Sequence, residues 1–467
     1  MASVSVERVD HLGVMAEVIT DLSLIDMIDA RLGPEAQEVI TPGEAVAGMV
    51  LNGLGFANRP LSLTPPFFAN KPLDLLFHEG LRAEALNRVK LGRTLDEVYA
   101  DGCGLLCSEL ALAVCAQDGV ALRFNHLDTT SFALTGEYLP DGDEQAIAIT
   151  PGYSKDHRPD LKQAVLELMV SPDGGVPFVS QRWDGNASDT QIFQARAQAL
   201  MATFQASPTP RYLVADSKLD HEDKAAHLQA LGCITRIPNT LKLVSQVITQ
   251  ALRWDTWHRL DDATRDQRAE LCHYGMAQRW LVVYSQAAFE RADATVSNAQ
   301  QREYEATEKQ LFHLQARRFE TSEAAKAALA AVAKRWTYHH VDAYTRREHQ
   351  RYGRKGRPTP TAPIKVIEWQ IQGHVRPDVD DMERRKPSQA CFVLGTNIDE
   401  RQVSDAEVIR AYKGQGQAEG GFRFLKDPLF FVSSLFVKKP SRIQGLLTVM
   451  TIALLVYSVA QRRLRQQ

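Results

Sequence analysis

With 467 residues, 44% hydrophobic and 24% charged, the chain has the composition of an ordinary globular protein and enough material for two or three domains. A formal net charge of −3 excludes nucleic-acid binding by bulk electrostatics, so a polyanionic partner must be met by local clusters. Six scattered cysteines form no CxxC or Cys/His zinc pattern, and the first residues, MASVSVE, carry no basic or apolar leader, so a reduced, cytosolic protein without a signal peptide is expected.

Leu12, Val14, Met15, Val18 and Ile19, then Leu22, Leu24, Ile25 and Ile28, keep a helical period that Gly33-Pro34 stops. Thr41-Pro42-Gly43-Glu44 opens a second helix, and residues 91–99 and 105–114 supply two more. Residues 1–118 are therefore expected to form an all-α domain, suited either to DNA binding or to holding a dimer together.

The character changes at Gly119. Residues 120–135, VALRFNHLDTTSFALT, are rich in strand formers and hold one carboxylate, Asp128. Residues 163–171 and 176–183 flank Pro172-Asp173-Gly174-Gly175, a hairpin signal. Gly185-Asn186-Ala187-Ser188-Asp189 starts an amphipathic helix, and residues 211–215 make a short apolar strand ending on Asp216. A helix over 221–231 and a strand over 233–237 follow. Three strands in meander, then helix, strand, helix, strand, is the order of a mixed α/β sheet, here spanning 119–237.

Residues 238–403 interrupt that pattern and read as an inserted α+β subdomain. Its strands are 280–285 and 391–396. Between them lie a charged helix with Tyr304, Thr307, Leu311, Leu314 and Phe319 near heptad spacing, an Ala-rich helix reaching Trp336, and residues 346–363, an exposed basic loop. That loop carries Arg346, Arg347, Arg351, Arg354, Lys355 and Arg357 against Glu348. Smaller clusters are Lys438, Lys439 and Arg442, and Arg462, Arg463 and Arg465.

The last region, 404–467, begins with a capping box, Ser404 and Glu407. If the helix runs on, Tyr412, Gln415, Glu419, Phe422 and Lys426 share one side; Gly414, Gly416, Gly420 and Gly421 equally suit a loop between two helices. Residues 443–460, IQGLLTVMTIALLVYSVA, are uncharged and barely long enough for a membrane span, and a fully buried core helix is the preferred reading. Asp128 within a strand, Asp216 at a strand end and Glu419 on a late helix could converge, because the first strand of such a meander lies beside the strand after the crossover helix. Oxygen ligands of this kind suit Mg²⁺, and paired ions suit phosphoryl transfer.

These residues resemble the bacterial DDE transposases of the insertion-sequence-four superfamily. Its signature is Tyr, two residues, Arg, three residues, Glu, six residues, Lys; here it reads Tyr412, Gln415, Glu419, Lys426, with glutamine where arginine is usual. HLDTTSF, GYSKDHRPDLKQ, GNASD and YLVADS are similar too. The resemblance implies a ribonuclease-H-like core, with Asp128, Asp216 and Glu419 as catalytic ligands of two Mg²⁺ ions, for which Mn²⁺ can substitute. Tyr412, Gln415 and Lys426 would contact DNA, joined by Lys155, Arg158 and Arg423. It further implies double-stranded DNA with terminal inverted repeats and a target duplex as partners, a homodimer on that DNA, no membrane, and a cytoplasmic, nucleoid-associated location. A non-catalytic DNA-binding descendant and a nuclease without strand transfer are the rival readings. If hairpin ends form, a flipped base needs an aromatic, offered by Trp254, Trp257, Trp280, Trp336 or Trp369.

Overall fold

The computed structural model describes residues 7–56, 60–138, 142–143, 145–205, 207, 209–220, 228–229, 231–352, 357, 364–430 and 437–467. They divide into two compact units. Segments 1–238, 270–279 and 395–467 belong to the first, segments 239–269 and 280–394 to the second.

The first unit opens with helices α1 (Leu12–Asp21), α2 (Leu24–Leu32) and α3 (Pro42–Leu54). Thr41 Oγ1 accepts from the Glu44 amide at 3.1 Å and the Glu44 carboxylate accepts from the Thr41 amide at 2.9 Å, with Pro42 in the first turn of α3. Every residue of α3 is buried, the mark of a helix surrounded by core on all sides. Helices α4 (Arg88–Asp101) and α5 (Cys103–Gln117) bend by 87° at Gly102, whose φ of +104° favours glycine.

A mixed sheet follows. Its central strand β1 (Phe124–Leu134) runs antiparallel to β2 (Lys162–Val170), and β2 antiparallel to β3 (Pro177–Trp183). After helix α6 (Asp189–Gln205) the chain returns as β4 (Tyr212–Ala215), parallel to β1, and then as β5 (Cys233–Arg236), parallel to β4. The spatial order β3-β2-β1-β4-β5, flanked by helices, is the ribonuclease-H-like arrangement. Gly174 and Gly175, with φ of +80° and +65°, make the β2–β3 turn that the Pro-Asp-Gly-Gly motif predicts. The helix expected over 221–231 lies outside the described residues except at Leu228, Gln229 and Leu231.

The apolar stretch near the C-terminus is α13 (Pro440–Gln466). It is long and apolar enough to cross a membrane, yet 94% of its apolar window is buried, against α1, α3, α4, α5 and β3. Its threonine interruptions are satisfied where they stand. Thr448 and Thr451 donate to the carbonyls of Gln444 and Leu447, both at 2.8 Å. Each fully buried aliphatic side chain here contributes roughly 1.5–3 kcal/mol. The helices of residues 12–117, the sheet and α13 thus share one apolar core.

The second unit contains α7 (Lys242–Trp254), strand β6 (His258–Arg259), residues 264–269 of β7 (Thr264–His273) and 280–285 of β8 (Met276–Ser285), helices α8 (Gln286–Gln315) and α9 (Ser322–Ala333), strands β9 (His339–Tyr352) and β10 (Ile364–Pro377), helix α10 (Val379–Gln389) and residues 391–394 of strand β11 (Cys391–Thr396). The strands at 280–285 and 391–396 are neighbours in the order β11-β8-β7-β6. The basic segment corrects the sequence reading: residues 346–352 are strand rather than loop, with Arg347 opposite Gln370 and Arg351 opposite Val366 in the β9–β10 hairpin. Backbone pairing outweighs the charge density of this stretch, and Leu311, Leu314, Phe319, Ala325, Leu329 and Ile371 form an apolar cluster beneath its proximal half. Arg354 and Lys355 lie outside the described residues.

Candidate active site

Helix α11 (Asp405–Lys413) begins at the expected box, the Ser404 hydroxyl accepting from the Glu407 amide at 3.3 Å and the Glu407 carboxylate from the Ser404 amide at 3.0 Å. Helix α12 (Gly416–Leu425) follows after Gly414 and Gln415, both of which stay right-handed. The Gln415 and Gln417 amides donate three residues back, to Tyr412 and Gly414, each at 2.9 Å. The segment is one helical path with a tight hitch, between the two alternatives its glycines left open.

The glycines divide by what surrounds them. A Cβ on Gly414 would sit 3.0 Å from the His126 ring, and one on Gly421 3.2 Å from Leu454. Gly416 and Gly420 face open space. One pair lets the helix settle onto the core; the other leaves its outer surface bare on either side of exposed Glu419.

Gln415 explains the register of this helix against the sheet. Its side chain is buried, its Nε2 donates to the Leu127 carbonyl at 3.1 Å, and its Oε1 lies 3.3 Å from His126 Nδ1. Burial drives the His126 imidazole down to about 4, against the opposing Gln415 contact, so the ring there is neutral. A phosphate contact needs an exposed side chain, so the DNA-binding expectation for Gln415 is corrected: both ends of its amide are engaged with β1.

One residue beyond Leu127 stands Asp128. The parallel register pairs Leu127 with Ala215, which brings Asp128, within β1, beside Asp216, just past the end of β4. Asp128 Oδ1 accepts from the Thr129 amide at 2.7 Å, and Asp216 caps a short turn by accepting from the Lys218 amide at 3.0 Å. Burial pushes the Asp128 carboxyl up to about 6; Asp216 and Glu419 push it further, while Lys155 and the Thr129 amide oppose. Asp128 therefore feels the charge of both other carboxylates. Tyr412 adjoins them: burial raises its phenol, the Arg236 guanidinium beside it lowers it, and Asp216 and Glu419 raise it again.

The remaining expected contacts are distributed unevenly. Lys155 lies in the site, its Nζ donating to the Thr129 carbonyl at 2.5 Å and to Thr129 Oγ1 at 2.7 Å, 3.9 Å from Asp128 Oδ1. Lys426 pairs with Asp156 at 2.6 Å, Arg158 forms a two-pronged pair with Asp160 at 2.9 and 2.7 Å, and Arg423 is exposed.

Among the described residues, no three His, Cys, Asp or Glu side chains already converge on a single metal position. The donor set nonetheless suits a hard divalent cation. It consists of carboxylate oxygens, one of which, on Asp128, is largely withdrawn from water, burial raising its carboxyl to about 6.

The family described as "Transposase DDE domain" matches residues 126–456, and one described as "Domain of unknown function (DUF4277)" matches residues 4–112. The chain belongs to the DDE-domain transposases. Among solved structures, the piggyBac transposase synaptic complex with hairpin DNA is similar over 97% of this chain and 76% of that one, at 7% identity and a TM-score of 0.35. No curated protein matches the chain in sequence.

In this transposase the sequence reading missed three residues. Asp189, at the first turn of α6, accepts from Thr129 Oγ1 and from Lys218 Nζ and lies 3.4 Å from Lys155 Nζ. Asp189 reads in sequence as a helix start, and Lys218 carries no reading of its own. Arg236 ends β5 without any motif. The signal for Lys218 was its position two residues after Asp216, and for Asp189 the GNASD segment itself.

Proposed function

We propose that this DDE transposase belongs to the insertion-sequence-four superfamily and acts by two-metal phosphoryl transfer, with Asp128, Asp216 and Glu419 as the ligands of two Mg²⁺ ions. The observation that carries the reading is the pair formed by Asp128, within β1, and Asp216, just past the end of parallel β4, with Glu419 near enough to raise the Asp128 carboxyl. Tyr412, Glu419 and Lys426 at signature spacing support it.

Bound divalent ions would activate the attacking oxygen and neutralise charge on the leaving one. Everything else falls to the chain. Asp128 and Asp216, fixed by strand backbone, and Glu419, fixed by a helix pinned to β1 through Gln415, hold the oxygens in place. Water then attacks the phosphorus at the transposon end; the P–O3′ bond breaks and the 3′ oxygen leaves with a proton. In the second step that 3′-hydroxyl attacks a phosphodiester of the target duplex, one P–O bond forming as another breaks. Lys155, Tyr412 and Lys426 supply phosphate contacts, which give affinity and salt dependence rather than sequence choice. A homodimer on paired transposon ends completes the reading.

Purified protein is to be incubated with a duplex carrying the inverted repeats that flank its coding region, with Mg²⁺ or Mn²⁺. Cleavage and joining are expected, and Asp128→Ala or Glu419→Ala should abolish both. Cleavage that survives either substitution sinks the triad; cutting without joining replaces the transfer reading with a nuclease.

A further inference from the structure

The Asp189 side chain is 10% exposed, against 19% for Asp128, and it is held by a hydroxyl and two ammonium groups. Its two oxygens are differently employed. Oδ1 accepts from the hydroxyl of Thr129, the residue whose amide holds Asp128. Oδ2 is shared by two ammonium groups, Lys218 Nζ in direct contact and Lys155 Nζ at 3.4 Å. The lysines come from different loops. Lys218 follows Asp216 by two residues, and Lys155 stands in the segment before β2. Without a common anion, two like charges here would repel each other and splay into solvent. With Asp189 between them, both are held beside Asp128, and Lys155 Nζ is 3.9 Å from its Oδ1.

We propose that Asp189 is a positioning residue that clamps Lys155 and Lys218 together, so that the scissile phosphate meets a pair of ammonium groups at the edge of the carboxylate site. The inference rests on the proposed function and adds to it a role for two residues, Asp189 and Lys218, that the three-carboxylate assignment leaves idle. Thr129 ties the clamp to the ligand strand: the same residue donates its amide to Asp128 and its hydroxyl to Asp189, and its carbonyl accepts from Lys155. Movement of the clamp is therefore movement of the site. The helix start helps, since an acid in the first turn of α6 lies at the positive end of the helix dipole.

The test uses full-length wild type, Asp189→Asn, Asp189→Glu and Lys218→Gln, with the inverted-repeat duplex as probe. Binding is read by fluorescence anisotropy in chelator across a salt series. Cleavage is read under single turnover with Mg²⁺ at increasing protein, and thermal melting is read for each variant. Asp189→Asn removes a negative charge near DNA, so its affinity in chelator should hold or rise while its saturating cleavage rate falls by about 10²-fold, the scale of a small misplacement of a reacting group. Asp189→Glu should recover part of that rate. Lys218→Gln should flatten the plot of log affinity against log salt by about 0.9, one phosphate contact. A saturating rate within about twofold of wild type in Asp189→Asn overturns the clamp, as does a loss confined to affinity. Loss of melting stability with no recovery in Asp189→Glu, and an unchanged salt slope in Lys218→Gln, reduce the cluster to a structural one and also overturn it. Wild type that binds but never cleaves would instead sink the proposed function and this inference with it.

Discussion

Gln415 Nε2 donates to the backbone carbonyl of Leu127 at 3.1 Å, one residue before Asp128. The bond fixes the helix carrying Glu419 to the strand carrying Asp128 through atoms that a DNA strand cannot reach. Gln415→Ala is expected to leave the Leu127 carbonyl unpaired and to cost about 1–3 kcal/mol in denaturant unfolding. Gln415→Arg, which would complete the signature the chain resembles, should lower stability by about 3–5 kcal/mol and bring no gain in cleavage, because the guanidinium would be buried beside a neutral imidazole. Enhanced cleavage by the arginine variant would show that the side chain can reach solvent after all.

Asp128 makes stability depend on pH in a direction opposite to most carboxylates. Its carboxyl rises from 3.8 to about 6 through burial, so the folded state binds its proton more tightly than the unfolded state does. Below about pH 4 both states are protonated and nothing is lost; above about 6 both are ionised and the full penalty, of order 2–3 kcal/mol, applies. Asp128→Asn should therefore melt higher than wild type at pH 8 in chelator and equally at pH 4. Added Mg²⁺ or Mn²⁺ should raise the wild-type melting temperature more than that of the asparagine variant, and equal responses would count against Asp128 as a ligand.

Glu167 is fully buried on β2. It accepts from Arg196 Nε at 2.5 Å and from Trp183 Nε1 at 2.8 Å, joining α6 and β3 to the sheet. Arg196→Met removes the only cation that pairs with Glu167 among the described contacts. Unfolding in urea should show a loss of about 3–5 kcal/mol, while Glu167→Gln with Arg196→Met should recover a large part of it.

In the second unit, Glu303 receives the amides of Thr337 and Tyr338 at 2.6 and 2.7 Å and His339 Nδ1 at 2.8 Å, at the start of the β9–β10 hairpin. Burial alone would raise its carboxyl; these donors outweigh burial and hold it below the usual range. A depressed carboxylate stabilises above its ordinary value and loses that contribution as the pH falls through the folded value, so the hairpin should loosen below about pH 4.5. Glu303→Gln should cost about 1.5 kcal/mol at pH 7 and almost nothing at pH 3, read by melting and by amide exchange at Thr337 and Tyr338.

Much of the first unit was legible because its signals are local or periodic. The Thr41 and Ser404 caps, the Pro-Asp-Gly-Gly turn and the apolar run of α13 each announce one structure. Asp128 and Asp216 could be placed side by side because the order of strands in a meander followed by a crossover dictates which ones pair. The hairpin of the second unit was not legible: Arg346, Arg347, Glu348, Gln350 and Arg351 have a loop's composition, and only pairing with the facing strand makes them β. Gln415 was misread for a related reason. Its spacing from Tyr412 and Glu419 is a property of the helix, whereas its burial depends on where β1 lies, which spacing along one helix does not contain. Asp189 was hidden by an honest local explanation, since an acid after Ser188 is what a helix start wants.

The long apolar helix α13 sets the schedule on which this protein can be made. Helices α1, α3, α4 and α5 emerge from the ribosome early, yet the surface that covers them comes from residues 440–466, more than 300 residues later. Until then the helices have only one another, and the part of their apolar surface that this helix covers lacks its native partner, a situation that slows folding and invites capture by chaperones. The helix bearing Glu419 rests on the same spine, with Gly421 against Leu454. A message cut short before Pro440 would therefore yield a chain with every candidate metal ligand present and no folded site to hold them.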